Sequence, residues 1–362
     1  MGSLREEITE KHMAQKQREN EQHQITDRPP SIAVLELLHG MWVTRSIHLT
    51  TNLRLADLLV GGPKSVQELA EATNTHAPSL YRLLRSLAGV GIFRETEPNT
   101  FAQTPLSEVL RSDRPDSLYG LSQLLGQPWQ LQPWVQLEYS IRTGKSAFEH
   151  VHGMQVWKYM SMHPEMGTIF NQAMTSFSTI VNMPIAQSYD FSAFDTLVDV
   201  GGGVGSLLTT ILRTYPTLKG ILFDLPMVID QAREQIDPAL HDRIQLAEGS
   251  FLETIPTGGD AYLLKQVLHD WSKEDCLAIL QNCRRAMKTG ATLLVADRVL
   301  EAEGQENTFN QYFDLHMLVL LSGGERTAEE FREFYEASGF RLTRIVSTGT
   351  PISLVEGVAV EQ

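Results

Sequence analysis

The chain has 362 residues, 42% hydrophobic and 20% charged, which suits two domains with sizeable cores and excludes a largely disordered protein. With 30 basic against 44 acidic residues the formal net charge is −14, and no dense Lys/Arg run interrupts it. An acidic surface repels phosphate backbones and anionic bilayers, so nucleic acid and membrane are disfavoured as partners.

Residues 1–30 carry Glu, Lys, Gln and Arg with few large apolar side chains. They are expected to form a disordered or loosely helical arm ending at Pro29-Pro30. The arm lacks the apolar core of a signal peptide, and no later stretch approaches 18 uninterrupted apolar residues, so a cytoplasmic protein is expected.

From 31 to about 120 the periodicity is helical. Ile32, Val34, Leu35, Leu37 and Leu38 open one apolar run, and Ile47, Leu53, Leu55, Leu58 and Leu59 follow. Ser65 and Glu68 stand at capping-box spacing. The next helix begins at Pro78 and closes near Gly89 and Gly91, and short alternating runs at 92–95 and 100–102 predict a hairpin. Helix, turn, helix and hairpin make a winged helix. Its second helix offers only Arg82 and Arg85, so a dimerisation module is expected rather than a DNA reader.

Residues 121–190 are read as a helical region joining the two domains. Trp129, Trp134, Trp157, Tyr159, Phe170, Met174 and Phe177 recur at helical spacing. Plain core accounts for that pattern. So does a core that also lines a pocket for a flat ligand, to which methionine adapts.

Over residues 191–362 strand-like runs at 196–200, 220–223, 243–247, 261–264 and 292–296 alternate with helix-length segments. This is an α/β pattern, mostly parallel and doubly wound. Two last runs, 341–346 and 353–360, lie too close for a crossover helix and predict an antiparallel pair at the sheet edge. The two cysteines, Cys276 and Cys283, fall on one helical segment about 10 Å apart by helical rise, too far for a disulfide. Buried, inert thiols are expected. No CxxC pair or Cys/His cluster suggests zinc, and low cysteine use fits a reducing compartment.

The strongest local signal is LVDVGGGVGS at 197–206, an apolar strand running into Gly201, Gly202, Gly203 and Gly205 and then a helix. Glycines there allow a tight turn and close approach of a ligand, at the strand end where open α/β sheets bind one. A dinucleotide loop reads GxGxxG; here Ser206 breaks the third spacing, and Asp199 stands two residues before the loop. A pyrophosphate disfavours that carboxylate, whereas a ligand with an amino group and a sulfonium favours it. The loop therefore points to S-adenosylmethionine (SAM) over NAD, with a purely structural turn as the bland reading. Asp224, 23 residues after Gly201, stands where an acid accepts from ribose hydroxyls. It can also cap the helix near Pro226, and both roles can hold together.

LKQVLHDW at 264–271 places His269 above the same sheet edge. Its ordinary pKa of about 6.5 suits proton uptake near neutral pH. Asp297 ends the fifth strand and Glu325 sits in GGERT at 323–327. A carboxylate against one imidazole nitrogen fixes the tautomer and stabilises the imidazolium. Glu325 also reads as a first-turn helix acid.

These blocks in order, with the winged-helix region, resemble the metal-independent caffeic-acid and hydroxyindole type of O-methyltransferase, including bacterial small-molecule tailoring members. The resemblance covers nearly everything after the arm. It implies a Rossmann-like SAM domain, a homodimer through the N-terminal helices, and a metal-free reaction on a hydroxyl of a small aromatic acceptor. It implies His269 as general base flanked by Asp297 and Glu325. It puts Asp199, Gly201, Gly203 and Asp224 at the cofactor, with Gly249, Ser250, Phe251 and Lys265. Plant members carry Glu at the place of Asp297, one methylene longer. They also carry Asp where this chain has Ser250, which accepts a hydrogen bond without a charge.

With the aromatic segment, the resemblance makes Phe170, Met174, Phe177, Asn310, Phe313, Asp314 and Met317 candidates for the acceptor pocket. Asn310 and Asp314 lie one helical turn apart, which a simple helix surface also explains. Three rival readings remain: a SAM-binding relative with decarboxylase, hydroxylase or pericyclase chemistry, an NAD oxidoreductase, and a winged-helix regulator that senses a ligand.

Overall fold

The computed structural model describes residues 29–114, 116–300, 308–321 and 323–361. The expected arm, apart from its closing prolines, lies outside them. The chain divides into two compact units between Arg111 and Ser112.

In the first unit, helices α1 (Pro30–Leu38), α2 (Gly40–Asn52), α3 (Val66–Thr73) and α4 (Ala77–Gly89) accompany a small antiparallel sheet. Its strands β1 (Lys64–Ser65), β2 (Phe93–Glu97) and β3 (Thr100–Gln103) lie in the order β1-β3-β2. The Ser65–Glu68 capping box is present at the start of α3. Leu80, Leu84 and Leu87 form one stripe of α4 and bury it against Leu55, Leu69, Phe93 and Phe101. Helix α1 buries no residue, and Leu37 (77% exposed) and Trp42 (63%) leave an apolar surface uncovered in the single chain.

The second unit is built on a seven-stranded sheet. Its strands are β4 (Thr196–Val200), β5 (Lys219–Asp224), β6 (Ile244–Glu248), β7 (Ala261–Lys265), β8 (Thr292–Asp297), β9 (Phe340–Ser347) and β10 (Ser353–Ala359). The order is β9-β10-β8-β7-β4-β5-β6. Strands β4 to β8 pair in parallel, and the β9–β10 hairpin adds antiparallel through β10 on β8. The sequences LVDV, YLL and LLVA are buried on both faces, which is why those strands read as continuous apolar runs without alternation.

One face packs helices α5 (Pro164–Ser188), α6 (Ser206–Thr214) and α7 (Pro226–Gln235); the other packs α8 (Lys273–Ala286) and α10 (Ala328–Ala337). Helix α9 (Thr308–Leu320) precedes α10 in the chain. One expectation fails. The segment between β6 and β7 has helical length but folds as turns and open chain. Pro256 removes a backbone donor there, and Gly258 takes a positive φ of 102°. Cys276 and Cys283 are buried free thiols on α8, pushed by burial up to about 11 and about 12. No described helix is long and apolar enough to cross a membrane.

Candidate active site

The carboxyl ends of β4, β5, β7 and β8 carry the residues that the motifs single out. Beyond β4, Gly201, Gly203 and Gly205 take φ of +68°, +60° and +80°, a region that L side chains rarely adopt. Gly202 is required for a different reason. A Cβ there would lie 2.5 Å from Asp199 Oδ2 and from the Leu222 side chain.

The loop is tied to β5. The Gly201 amide donates to the Phe223 carbonyl (2.8 Å), and the Gly203 amide donates to Asp224 Oδ2 (2.8 Å). The other Asp224 oxygen accepts from the Leu225 amide at 2.7 Å. Asp224 is therefore not a helix cap: the N-cap of α7 is Leu225 and has no side-chain cap. Burial raises the Asp224 carboxyl, and its two amide donors pull it back.

Asp199 is 1% exposed, and apart from the nearby Leu208 backbone amide no described residue meets its oxygens within normal hydrogen-bond geometry. Burial pushes its carboxyl up to about 7; Lys265 opposes the rise and Asp224 adds to it. Burial lowers Lys265 to about 8. The Lys265 Nζ donates to Ser178 Oγ (2.8 Å) and Asn182 Oδ1 (3.2 Å) on α5, and Asn182 Nδ2 donates to Ser206 Oγ at 2.9 Å. Asn182 thus joins α5, β7 and the first residue after the glycine loop, a link that nothing in its local sequence announces.

After β6, the Gly249 amide donates to the Asp224 carbonyl at 3.0 Å. The Phe251 ring lies 3.2 Å from where a Cβ on Gly201 would stand, and meets Trp271 edge-on. The Ser250 carbonyl closes the turn that follows by accepting from the Glu253 and Thr254 amides. Gly201, Asp224, Gly249 and Phe251 are therefore brought together.

His269 is buried in a short 3-10 turn after β7. Its Nδ1 lies 3.1 Å from Glu325 Oε1 and 3.6 Å from Asp297 Oδ1, while its Nε2 lies 3.3 Å from Asp270 Oδ1. Glu325 holds the hydrogen bond; the shorter Asp297 stops outside normal range. Burial pulls the imidazole down, but Asp270, Asp297 and Glu325 outweigh it and raise it to about 9. Glu325 is not a first-turn acid. It precedes Thr327, the N-cap of α10, and the first-turn acids are Glu329 and Glu330.

Two backbone contacts set Glu325. The Glu325 amide donates to Asp314 Oδ1 at 2.8 Å, and the Gly324 amide donates to the His269 carbonyl at 2.9 Å. Asp314 therefore serves the Glu325 loop through that oxygen. Asn310 is 3% exposed, which rules out the helix-surface reading for it.

Arg298, which the motifs did not single out, is 1% exposed and places Nη1 3.3 Å from the same Glu325 Oε1. Its guanidinium carbon lies 3.5 Å from the centroid of Phe313 and 5.3 Å from that of Phe177. His269 and Phe313 have ring centroids 6.3 Å apart. Phe177 and Phe313 thus converge on the histidine site. Phe170 and Met174 pack instead in a neighbouring cluster with Trp134, Val319 and Leu320, and Met317 is buried on α9. His316 accepts from the Trp134 indole at 2.9 Å, and burial lowers it to about 4.

His269, Asp297 and Glu325 offer ligand atoms within 4.8 Å of one another, a set that could hold a cation. The Arg298 guanidinium already supplies positive charge at the Glu325 oxygen, and a metal ion there would meet it at close range.

The O-methyltransferase domain family matches residues 134–341, and the O-methyltransferase dimerisation domain matches residues 35–113. A phenazine O-methyltransferase of Lysobacter antibioticus is 41% identical over 91% of this chain and 96% of its own. A mitomycin biosynthesis 6-O-methyltransferase of Streptomyces lavendulae is 39% identical over 89% of this chain and 93% of its own. Among solved structures, an O-methyltransferase from neocarzinostatin biosynthesis, in complex with SAM and 2-hydroxy-5-methyl naphthoic acid, aligns with a TM-score of 0.73. It is 31% identical, over 88% of this chain and 96% of its own.

Proposed function

This chain belongs to the family of SAM-dependent, metal-independent O-methyltransferases, and from that premise we propose that it methylates a hydroxyl of a small aromatic acceptor with His269 as general base. The observation that carries the base assignment is the buried imidazole with Glu325 on Nδ1. That contact favours the tautomer with its proton on Nδ1, which leaves Nε2 to take the acceptor's proton. The carboxylate of Asp270 beside Nε2 stabilises the imidazolium that forms.

The site fits the cofactor on its own terms. Asp199, buried beside the glycine loop with no side-chain partner among the described residues, suits a ligand with an amino group. Asp224, held by two backbone amides at the end of β5, presents acceptor oxygens where a ribose would lie. Gly249, Ser250, Phe251 and Lys265 complete the cofactor side. When bound, SAM supplies a methyl group activated by a sulfonium, with a neutral thioether as leaving group. The chain's share is to align the acceptor oxygen and remove its proton. Alignment supplies ~7–11 kcal/mol and the base about 10²–10⁴-fold.

Among the acceptor candidates Phe313 has its ring 6.3 Å from that of His269 and Phe177 meets the adjoining Arg298, and Phe170, Met174, Asn310, Asp314 and Met317 are assigned to the wider pocket wall. The phenazine named for one relative and the naphthoic acid bound in a solved neighbour support a planar ring system. The exposed Leu37 and Trp42, within the segment that matches a dimerisation domain, support a homodimer.

The test is methyl transfer followed by mass spectrometry. Purified protein and SAM meet a panel of phenols, catechols, hydroxynaphthoates and hydroxyphenazines, with His269→Ala alongside. A gain of one methyl, lost in the variant, is the expected result. Equal turnover by the variant overturns the base assignment.

A further inference from the structure

Arg298 is among the largest fully buried side chains of the protein, and its surroundings do not account for all of its donors. Nη1 meets Glu325 Oε1, but Nε is buried with no hydrogen-bond partner among the described residues. The guanidinium carbon stands 3.5 Å from the Phe313 centroid, a separation that only face-on stacking allows, with Phe177 at 5.3 Å and Phe309 at 5.9 Å. In a stacked guanidinium the N–H bonds lie in its own plane, so the ring takes the face and leaves Nε–H without an acceptor. A buried cationic donor left without an acceptor is costly, so this one calls for an oxygen supplied by a bound ligand.

The position of this donor narrows what arrives. Arg298 and His269 meet the same Glu325 oxygen and flank the same Phe313 ring. An acceptor ring seated beside Phe177 and Phe313, with one hydroxyl at His269, would carry a neighbouring substituent toward Arg298. Resting on the acceptor site assigned above, we infer that Arg298 is a specificity residue for aryl acceptors bearing an oxyanion, a carboxylate foremost, next to the methylated hydroxyl. The cation recognises that oxyanion through Nε–H, and its bond to Glu325 fixes the guanidinium in place. A neutral amide or ester at the same ring position offers Nε–H only an uncharged acceptor and forgoes the charge-assisted bond.

The experiment compares matched acceptors. Hydroxybenzoate, hydroxynaphthoate and hydroxyphenazine-carboxylate scaffolds are each paired with their carboxamides. Binding is measured calorimetrically in the presence of S-adenosylhomocysteine, and kcat/KM in its absence. On the scaffold that fits, the carboxylate is favoured by roughly tenfold or more, as a charge-assisted hydrogen bond implies. The preference collapses in Arg298→Gln and survives in part in Arg298→Lys, which keeps the charge but loses the fork.

Because Arg298→Gln leaves Glu325 without its cation, the double variant Arg298→Gln/Glu325→Gln is measured for binding as a charge-balanced control. Carboxamides that bind as well as carboxylates on every scaffold would overturn the inference, as would an unchanged ratio in folded Arg298→Gln. Methyl transfer without any such preference sinks this inference alone. A carboxylate preference in binding with no methyl transfer sinks the reading of the reaction alone.

Discussion

Glu325 Oε1 lies 3.1 Å from Nδ1 of His269, and both side chains are buried. A carboxylate so placed orients the ring and favours its cationic form, the form reached when a proton leaves the acceptor. Glu325→Gln keeps the shape and removes the charge. We expect kcat to fall about 10²-fold with SAM affinity unchanged, and His269→Ala to lose about 10²–10⁴-fold. Single-turnover transfer with calorimetric SAM binding checks both. An unchanged kcat in Glu325→Gln would reduce that carboxylate to a structural part.

The charge around His269 sets a pH dependence whose sign is fixed. The carboxylates raise the folded imidazole from its ordinary 6.5 to about 9 against the opposing effect of burial. Only the neutral ring accepts a proton, so kcat/KM rises with pH through about 9 and levels above it. Stability runs the other way. The imidazolium's contribution is fully present below 6.5 and is lost as pH rises through about 9. Asp297, also raised by burial, takes up protons on folding in the same sense. Thermal melts and kcat/KM from pH 6 to 10 should therefore move oppositely, and Glu325→Gln should shift the activity midpoint downward. A kcat/KM flat across that range would contradict the assignment.

Gly323 is needed for a reason apart from backbone freedom. A Cβ there would fall 1.9 Å from the His269 carbonyl oxygen, with the Asp270 backbone also within contact. The two loops must part by more than an ångström to admit it, and Glu325 travels with the moving loop. We expect Gly323→Ala to cut kcat by about 10²-fold, the scale of such a displacement, while SAM binding, assigned to the glycine loop and Asp224, is kept. Measuring kcat beside the SAM dissociation constant decides it, since a general folding defect would lower both.

Much of this site was legible because the chemistry sits where simple patterns break. The glycine run interrupts an apolar strand, and His269 and Glu325 lie in short polar blocks after apolar ones. The parallel sheet was legible for the same reason: strands buried on both faces are continuous in apolar residues. Arg298 was not, because a single arginine after a strand reads as solvated until the fold buries it under three phenyl rings. Asp270 was hidden by its neighbour: sequence places it beside His269 but does not aim its carboxylate at Nε2. The crossover at 249–260 has the length of a helix but stays open, because Pro256 and Gly258 stand against one. Helical spacing gives Asp314 a face, but the bond that its carboxylate accepts from the Glu325 amide depends on a loop that spacing cannot place.

Asp199 supplies the sharpest test of the cofactor side. Its carboxyl is buried with no side-chain partner among the described residues, and burial raises it to about 7 against the Leu208 amide. An acid with a raised folded pKa costs stability as pH climbs from its ordinary range through the folded value, so that cost is complete by pH 8 and absent well below 4. Asp199→Asn removes the charge. The free variant should therefore melt higher than the parent at pH 8, with a smaller difference at pH 5. The same substitution deletes the anion proposed to meet the cofactor's amino group, a charge-assisted bond whose loss weakens binding roughly tenfold or more. Melting at both pH values, beside a SAM titration at pH 8, separates the two effects. A higher melting temperature with undiminished SAM affinity would show that Asp199 shapes the glycine loop without touching the ligand.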